Sequence, residues 1–278
     1  MESTKPRITG MVLVMTFLGF YCAEQGIHHG ALLAYTLLGA GLTCAGAAAL
    51  NNYLDRDADA LMLRTKNRPI PTGILLPSET LSFGILLTLA GVIVLCLKVN
   101  LLTAFLSLLT SFLYILVYTP MKKISWLNTT IGAIPGAIPP MGGWAAARGE
   151  LGVEAWVLFC ILFVWQHPHF FAIAWIFRDD YRRAGFKMLP VVEPDGVSTF
   201  KQTVWFSAAL ILVSLLPSIV GMAGRIYFWG AFLAGILLFQ AGWQLFQSHS
   251  TADAYKLLRA SVIYLPVLLF LIIFDVTF

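Results

Sequence analysis

The sequence predicts an all-α integral membrane protein with nine transmembrane helices, and three observations support this prediction. First, 59% of the 278 residues are hydrophobic and only 12% are charged, whereas soluble domains are about 25% charged. Second, the apolar residues form nine long runs. Third, lysine and arginine residues are concentrated in every second loop. This composition excludes a soluble globule, a disordered chain and a nucleic-acid-binding protein.

The nine apolar runs approach or exceed the length of about 20 residues that a helix needs to cross a bilayer. They lack the period-two alternation of barrel strands, so helices are favoured. We expect the chain, residues 1–278, to form one membrane-embedded domain in the lipid bilayer. The spans are predicted near residues 8–23, 30–53, 80–97, 100–121, 125–147, 155–177, 202–224, 226–248 and 260–277.

The positive charges predict how these spans are oriented. With nine helices, 15 of the 18 lysine and arginine residues fall in the N-terminal tail and in every second loop, on one side of the membrane. The positive-inside rule places that side in the cytoplasm. The N-terminus is therefore expected in the cytoplasm and the C-terminus in the periplasm, with a bacterial inner membrane as the location.

The second predicted helix is followed by a stripe of oxygen-bearing side chains. Asn51, Asp55 and Asp59 are spaced i, i+4, i+8, so a continued helix presents them on one face. Amide and carboxylate oxygens are hard ligands that suit Mg²⁺ shared with a phosphate-bearing substrate. The alternative is a solvated helix end at which Arg56 and Arg64 neutralise the acids.

A second acidic pair, Asp179 and Asp180, follows the sixth predicted span on the same side of the membrane. Both acidic groups lie beside bases. Acids that hold Mg²⁺ and bases that hold phosphate oxygens together indicate a site for a metal-bound diphosphate. The bases are Arg64, Lys66 and Arg68 beside the first group, and Arg182, Arg183 and Lys187 beside the second.

Two segments resemble one family of membrane enzymes. The pattern NxxxDxxxD from Asn51 to Asp59, followed by RTKNRP, resembles the first Asp-rich motif of the UbiA superfamily of intramembrane prenyltransferases. The segment WQHPHFFAIAW…DDYRRAGFKMLPVV, residues 165–192, resembles the branch that farnesylates haem. Two departures are present: Asn51-Asn52 replaces the frequent Asn-Asp, and the second motif has adjacent acids followed by bases. The second departure assigns more of the diphosphate binding to arginine and lysine.

The resemblance implies a UbiA-type helical bundle whose central cavity opens to the cytoplasmic side. It also implies an enzyme that transfers a farnesyl group from farnesyl diphosphate to a vinyl group of haem b, with addition of water, to give haem O for terminal oxidases. The implied cofactor is Mg²⁺, and the candidate protein partners are haem A synthase and terminal oxidase subunits. No nucleic-acid partner is expected.

Two other functions compete with this one. The first is a UbiA-type prenyltransferase that acts on an aromatic quinone precursor, and the residues at 165–192 argue against it. The second, more distant, is a transporter or a non-catalytic haem scaffold. A transporter is expected to carry charges near the bilayer midplane, whereas the acids of this chain cluster at one interface.

By resemblance, the site residues divide by task. The metal ligands are Asn51, Asp55, Asp59 and Asp180. The diphosphate contacts are Arg64, Lys66, Arg68, Arg183 and Lys187. Aromatic faces can shield the allylic carbocation from water. The candidates are Tyr53, Trp165, Phe170, Phe171 and Tyr181.

Two histidines lie within the sixth predicted span, where an ionisable residue is unusual and suggests a function. The family pattern retains His169 rather than His167, so we assign His169 to the haem side, as an iron ligand, propionate partner or base. An α-helix places His169 about 16 Å from Asp180 along its axis, too far to contact phosphate. The alternative for such a histidine is a neutral ring bonded to a neighbouring carbonyl group.

The fifth predicted span contains three prolines, Pro135, Pro139 and Pro140, together with several glycines. These residues are expected to break or kink the helix, and the small side chains could then border a flat porphyrin. The alternative is close packing against another helix.

Overall fold

The computed structural model describes residues 4–276, and most of them are helical. The helices are α1 (Pro6–Glu24), α2 (Gly30–Leu61), α3 (Pro77–Lys98), α4 (Leu101–Phe112), α5 (Thr119–Ile124), α6 (Asn128–Arg148), α7 (Val153–Ile176), α8 (Arg178–Arg183), α9 (Leu189–Val192), α10 (Val197–Val213), α11 (Leu216–Ile219), α12 (Arg225–Ser248) and α13 (Thr251–Phe274). A π-helix, Leu113–Tyr118, joins α4 to α5.

The predicted all-helical architecture is confirmed, and residues 4–276 contain eight candidate spans against the nine predicted. Nine segments are long enough to cross a membrane when α4 to α5 and α10 to α11 are each taken as one. Eight of them are also strongly apolar. The ninth is α6, whose prolines and glycines make it less apolar. The chain is a multi-pass membrane protein.

Several helices extend beyond the predicted spans. α2 ends at Leu61 rather than near residue 53, so the acidic stripe lies within the helix itself. α10 begins at Val197 and ends at Val213, and the short α11 completes that span. α13 begins at Thr251 and ends at Phe274, while residue 277 of the predicted span lies outside the described residues.

α1 and α6 are in direct backbone contact. A Cβ atom on Gly19 would lie 1.9 Å from the carbonyl oxygen of Pro140, and one on Gly143 would lie 1.9 Å from that of Thr16. Neither position can hold a larger side chain unless the helices separate. α6 continues as one helix through its three prolines. The expected break is therefore absent, and the alternative of close packing describes this helix.

Glycines also set the distance between α2 and α3. A Cβ atom on Gly46 would lie 2.7 Å from the carbonyl oxygen of Gly84, and one on Gly91 would lie 2.6 Å from that of Gly39. Small residues at such contacts allow helix backbones to approach closely in a membrane. The helix that carries the acidic stripe is thus fixed along its length.

The end of α13 is tied to the start of α12 by Asp275. Its Oδ2 accepts a hydrogen bond from the backbone N–H of Tyr227 at 2.7 Å, and its carbonyl oxygen accepts one from Gly224 at 2.8 Å. A carboxylate at a helix N-terminus satisfies free N–H groups and is favoured by the helix dipole. This contact explains an acid near the end of the last span.

The C-terminal ends of α2 and α7 contribute to one apolar cluster. Ala58 of α2 and Met62, directly after this helix, belong to the same cluster as Ala174 of α7, together with Phe186 and Met188 from the segment after α8. α2 contains the acidic stripe at this end, and α7 is followed by Asp179 and Asp180. The fold therefore brings the two acidic groups to one edge of the bundle.

Candidate active site

The predicted stripe is present on the last turns of α2. Asn51, Asp55 and Asp59 are 2%, 6% and 1% exposed, so all three are buried. The amide nitrogen of Asn51 donates to Asp55 Oδ2 at 2.9 Å. Buried carboxylates require partners of opposite charge, so the surroundings of this stripe identify the site.

Each member of the stripe accepts a hydrogen bond from a base. Lys122 donates to Asp55 Oδ2, and Arg68 donates to Asp59 Oδ2 at 2.6 Å. Lys5 donates to Asn51 Oδ1 at 2.5 Å. Desolvation, with the nearby cations of Arg68 and Lys122, lowers the pKa of Lys5 to about 7.

These partners differ from those of the solvated-end alternative. Arg56 instead donates to the carbonyl oxygen of Tyr53 at 2.8 Å and lies over the Tyr53 ring, 4.7 Å from its centroid. Arg64 is exposed and donates to the hydroxyl of Tyr181 at 3.4 Å. The acids are therefore buried and paired with distant bases, rather than solvated and neutralised by their sequence neighbours.

Aromatic rings surround the ammonium group of Lys122. It lies 5.4 Å from the ring centroid of Tyr118 and 5.0 Å from that of Phe186. Tyr118 stacks on Tyr114 with 5.6 Å between centroids. The rings of Tyr118 and Phe186 stabilise this cation beside Asp55. The site thus already accommodates a positive charge between aromatic faces.

The π-helix sets this arrangement. Tyr114 and Tyr118 lie in it, and Thr119 directly follows. The hydroxyl of Thr119 donates to the carbonyl oxygen of Tyr114 at 2.8 Å and accepts from Asn51 at 2.9 Å. Such π-helical turns are frequent at functional sites. Our sequence reasoning missed this element, although Tyr114, Tyr118 and Lys122 have the same i, i+4, i+8 spacing as the acidic stripe.

Asp180 holds the segment that follows α2. Its two carboxylate oxygens accept the backbone N–H groups of Leu63 at 3.2 Å and Arg64 at 3.3 Å. Arg183 donates to the same carboxylate. Burial opposes ionisation of Asp180, but these hydrogen bonds outweigh it and keep the pKa of Asp180 below its ordinary value. Both oxygens that we expected to bind a metal are thus engaged with protein groups.

The segment that follows α8 covers Lys122. The backbone N–H of Lys187 donates to the carbonyl oxygen of Lys122 at 2.6 Å, and Asn128 donates to the carbonyl oxygen of Lys187 at 3.0 Å. Gly185 turns the chain here with a φ of 72°, which favours glycine. Lys187 therefore contributes through its backbone, while its side chain is exposed.

Some predicted residues are placed elsewhere. His169 contacts the hydroxyl of Ser261 on α13 at 2.9 Å, and its ring stacks on Trp165 with 4.8 Å between centroids. Trp165 donates to the carbonyl oxygen of Ser261 at 2.9 Å, and Phe170 makes an edge contact with His169. Lys66 is exposed. The hydrogen bonds of His169 and Trp165 thus join α7 to α13 rather than to the acidic stripe.

His167 adopts the alternative that we considered for histidine. It is fully buried, and its Nδ1 lies 2.8 Å from the carbonyl oxygen of Phe163. A carbonyl oxygen only accepts, so Nδ1 carries the proton. Nε2 lies 3.2 Å from the hydroxyl of Thr130, and the ring stacks on Phe206 at 3.7 Å. Phe171 packs beside it, so this predicted aromatic residue belongs to the α7–α10 contact.

The donor set fits a metal that is shared with a phosphate ligand. Among residues 4–276, no group of three or more His, Cys, Asp or Glu side chains forms a cage for an ion. Mg²⁺ is usually bound by one or two carboxylates together with substrate phosphates. Asp55, Asp59 and the amide oxygen of Asn51 provide such a partial set, with bases on hand for the remaining phosphate oxygens.

Comparisons with known proteins identify relatives over the whole chain. The sequence profile of the UbiA prenyltransferase family matches residues 12–270. A protein named protoheme IX farnesyltransferase from Solibacter usitatus is 44% identical, and the alignment covers 99% of this chain and 97% of that protein. One of the same name from Salinibacter ruber is 42% identical and is covered to 96%, with 98% of this chain aligned.

Solved structures with the same fold are more distant in sequence. A digeranylgeranylglyceryl phosphate synthase matches with a TM-score of 0.83 at 16% identity, covering 99% of this chain and 96% of that one. A UbiA homologue from Archaeoglobus fulgidus bound to DMAPP and Mg²⁺ matches with a TM-score of 0.64 at 18% identity, covering 96% and 98%. At these identities the likeness shows the fold.

Proposed function

This chain belongs to the UbiA prenyltransferase family, and we propose that it transfers the farnesyl group of farnesyl diphosphate to a vinyl group of haem b. Water adds in the same reaction, and the product is haem O. The similarity to proteins named protoheme IX farnesyltransferase, at 44% identity over nearly the full length of both chains, supports the choice of substrates. The observation that carries the chemistry is the buried stripe of α2 with a base on each member.

The first task is to ionise the allylic C–O bond, whose electron pair leaves with the diphosphate. Asn51, Asp55 and Asp59 would hold Mg²⁺, which supplies Lewis-acid stabilisation of the leaving group when bound. Lys122 and Arg68 are paired with the two carboxylates among these ligands, and Arg64 is held close by Asp180. These residues would bind phosphate oxygens, as charge-assisted hydrogen bonds are strong in a buried site. Arg183, Lys66 and Lys187 remain proposed contacts at the site's exposed edge.

The second task is to protect the allylic cation until the vinyl carbon attacks it. Tyr118 and Phe186 already face the ammonium group of Lys122, and Tyr181 lies beside Phe186 with 6.2 Å between centroids. Ring faces stabilise a cation and keep water away. We therefore assign these three rings to the cation in preference to Tyr53, which is engaged with Arg56.

The third task concerns haem. Attack of the vinyl group leaves a cation on its second carbon, which water captures with loss of a proton. We assign His169 to the haem side because it lies on α7 with Trp165 and Phe170. It precedes the acidic pair Asp179 and Asp180 by 10 and 11 residues. His169 and Ala174 are five residues apart, which is about 140° around a helix, so His169 does not share the face of Ala174, which belongs to the apolar cluster at the end of α2.

We further propose that the chain resides in a bacterial inner membrane with its N-terminus in the cytoplasm, because the positive charges are concentrated on that side. The acidic stripe would then face cytoplasmic farnesyl diphosphate through a central cavity. Haem A synthase and terminal oxidase subunits are proposed partners because the product serves them.

Incubation of the purified protein with haem b, farnesyl diphosphate and Mg²⁺ tests the function. The haem pigment should gain the mass of a farnesyl group plus water, as measured by mass spectrometry. A parallel incubation with 4-hydroxybenzoate and the same diphosphate provides the comparison. Prenylation of 4-hydroxybenzoate with unchanged haem b would contradict the proposal and assign the chain to the quinone branch.

A further inference from the structure

Three separate segments of the chain each supply one base to the stripe on α2. One base precedes α1, one lies in the segment that follows α2, and one lies in α5. The pairs are Asn51 with Lys5, Asp59 with Arg68 and Asp55 with Lys122. Arg68 is a base that the sequence predicts at the diphosphate site, and Lys122 lies in α5 directly after the π-helix that borders the stripe. Lys5 is different, since it reaches the site from the N-terminal segment.

The charges at this site favour the arrival of a metal together with an anion. The carboxylates of Asp55 and Asp59 face three basic side chains, those of Lys5, Arg68 and Lys122, so the site has no excess of negative charge before any ligand binds. Mg²⁺ alone would add two further positive charges to a poorly solvated site. A magnesium diphosphate carries net negative charge and would reduce the repulsion. The site is therefore matched to the complex rather than to the bare ion.

The backbone at Lys5 is held in an unfavourable conformation. Its φ is 45° and its ψ is 63°, in the left-handed region that residues with a side chain rarely adopt. Pro6 begins α1 directly afterwards, and the N–H groups of Ile8 and Thr9 donate to the carbonyl oxygen of Lys5. This turn directs the Lys5 side chain to Asn51. Strain of this kind persists where surrounding contacts maintain it, and it is common at ligand-binding sites.

We propose that Lys5 is a diphosphate-binding residue that exchanges its contact with Asn51 for a phosphate oxygen when the metal and diphosphate bind. This inference rests on the proposed function, since it assumes a diphosphate substrate. Asn51 Oδ1 would be a ligand of the metal, and the Lys5 ammonium group would then give up its hydrogen bond to this oxygen. The flexible side chain keeps three donors and lies next to the incoming anion, and lysine binds phosphate as a compact point charge.

The exchange predicts effects of opposite sign on two ligands. Loss of the Lys5 ammonium group removes a contact to the diphosphate, so the affinity for a diphosphate ligand should fall. The same loss removes a cation that repels Mg²⁺ and competes for Asn51. The affinity for Mg²⁺ alone should therefore stay the same or increase. A purely structural role for Lys5 would lower both affinities.

Calorimetric titration of the purified full chain tests the proposal. The ligands are farnesyl thiodiphosphate in the presence of Mg²⁺, and Mg²⁺ alone. The variants are Lys5→Ala, Lys5→Gly and Lys5→Arg, with Arg7→Ala as the matched control because Arg7 is an exposed base two residues away. Lys5→Gly removes the ammonium group while easing the left-handed backbone, which separates the side-chain effect from the strain.

Lys5→Ala and Lys5→Gly should each bind farnesyl thiodiphosphate about tenfold more weakly, without loss of affinity for Mg²⁺ alone. Lys5→Arg and Arg7→Ala should stay close to the unmodified chain. Unchanged binding of the analogue by both Lys5→Ala and Lys5→Gly would overturn the proposal, as would an equal loss in Arg7→Ala. If the unmodified chain binds no analogue, the proposed function itself fails, and this result is distinct from a defect limited to Lys5.

Discussion

The two polar regions of this bundle are neutralised in different ways. At the end of α2, buried carboxylates pair with Lys122 and Arg68 from other segments. In the middle of α7, His169 bonds to the hydroxyl of Ser261, and His167 bonds to a carbonyl group and a hydroxyl. A buried charge needs an opposite charge, whereas a neutral ring needs only a hydrogen bond.

This difference indicates which kind of ligand each region can bind. The α2 region consists of ion pairs that a charged ligand can reorganise, so it suits a metal diphosphate. The α7 region is neutral and rich in flat rings, with Trp165 stacked on His169, so it suits a flat and largely apolar acceptor. The following predictions test this division, from the largest expected effect to the smallest.

The largest loss of turnover is expected when a carboxylate of the α2 region is removed. Asp55→Asn should lower turnover by about 100-fold or more, because the metal and the leaving diphosphate depend on this carboxylate. Sequence reasoning predicts little loss of stability, because it places Asp55 at the aqueous interface. The structure changes that expectation. Asp55 is buried on Lys122, so the single change strands a buried cation and should cost about 3 kcal/mol.

The double variant Asp55→Asn, Lys122→Met separates the two effects. It should recover most of the lost thermal stability in detergent, because no unpaired charge remains, while turnover stays low. Recovery of turnover in the double variant would show that the loss came from unfolding rather than from the missing metal ligand.

The α7 region should respond to haem and not to the diphosphate. His169→Ala should weaken haem binding about tenfold while leaving the affinity for a farnesyl diphosphate analogue unchanged, as measured by separate titrations. Ser261→Ala is the control, because it removes the hydrogen-bond partner and retains the imidazole. Loss of analogue affinity with normal haem binding would assign His169 to the other substrate.

Asp180 distinguishes a positioning residue from a metal ligand. If it holds the segment with Arg64, Asp180→Asn should raise KM for farnesyl diphosphate several-fold and leave kcat within about twofold. A fall in kcat comparable to that of Asp55→Asn would restore Asp180 to the metal ligands. Asp179→Asn is the matched control, because Asp179 is exposed and pairs with Arg182.

Low pH should weaken the hydrogen bonds that Asp180 accepts from Leu63 and Arg64, and this is the smallest of the expected effects. The pKa of Asp180 lies below its ordinary value, so its hydrogen bonds contribute stability above the unfolded pKa of about 3.9. That contribution is lost as the pH falls through the lowered pKa. Hydrogen exchange at the amides of Leu63 and Arg64, corrected for the intrinsic rate, should accelerate only in that acidic range. Asp180→Asn should show no such transition.

Local patterns predicted much of this structure, and distant contacts account for what they missed. The nine segments follow from runs of apolar residues, and the stripe of Asn51, Asp55 and Asp59 follows from helical spacing. Lys5 and Lys122 were missed as partners because they lie 46 and 67 residues away from the residues they contact. No local pattern states which base faces which acid.

A break in α6 was expected and is absent for a related reason. Proline removes one hydrogen bond of a helix and crowds the preceding turn, and this local rule predicts a break. The helix is continuous because α1 packs against it at Gly19 and Gly143. His169 shows the same limit: the distance to Asp180 was predicted for one continuous helix, but α7 ends at Ile176, and the contact with Ser261 depends on the placement of α13.

The backbone contact between α1 and α6 also sets a length requirement on the N-terminal helix. Gly19 is fixed against Pro140, so the number of residues between Gly19 and Lys5 determines where the ammonium group arrives. One inserted residue would turn Lys5 by about 100° and move it by about 1.5 Å. The outward side chains of Ile8, Met11 and Val14 are exposed, so their identity is less restricted. The length of α1 is thus constrained more strongly than its composition.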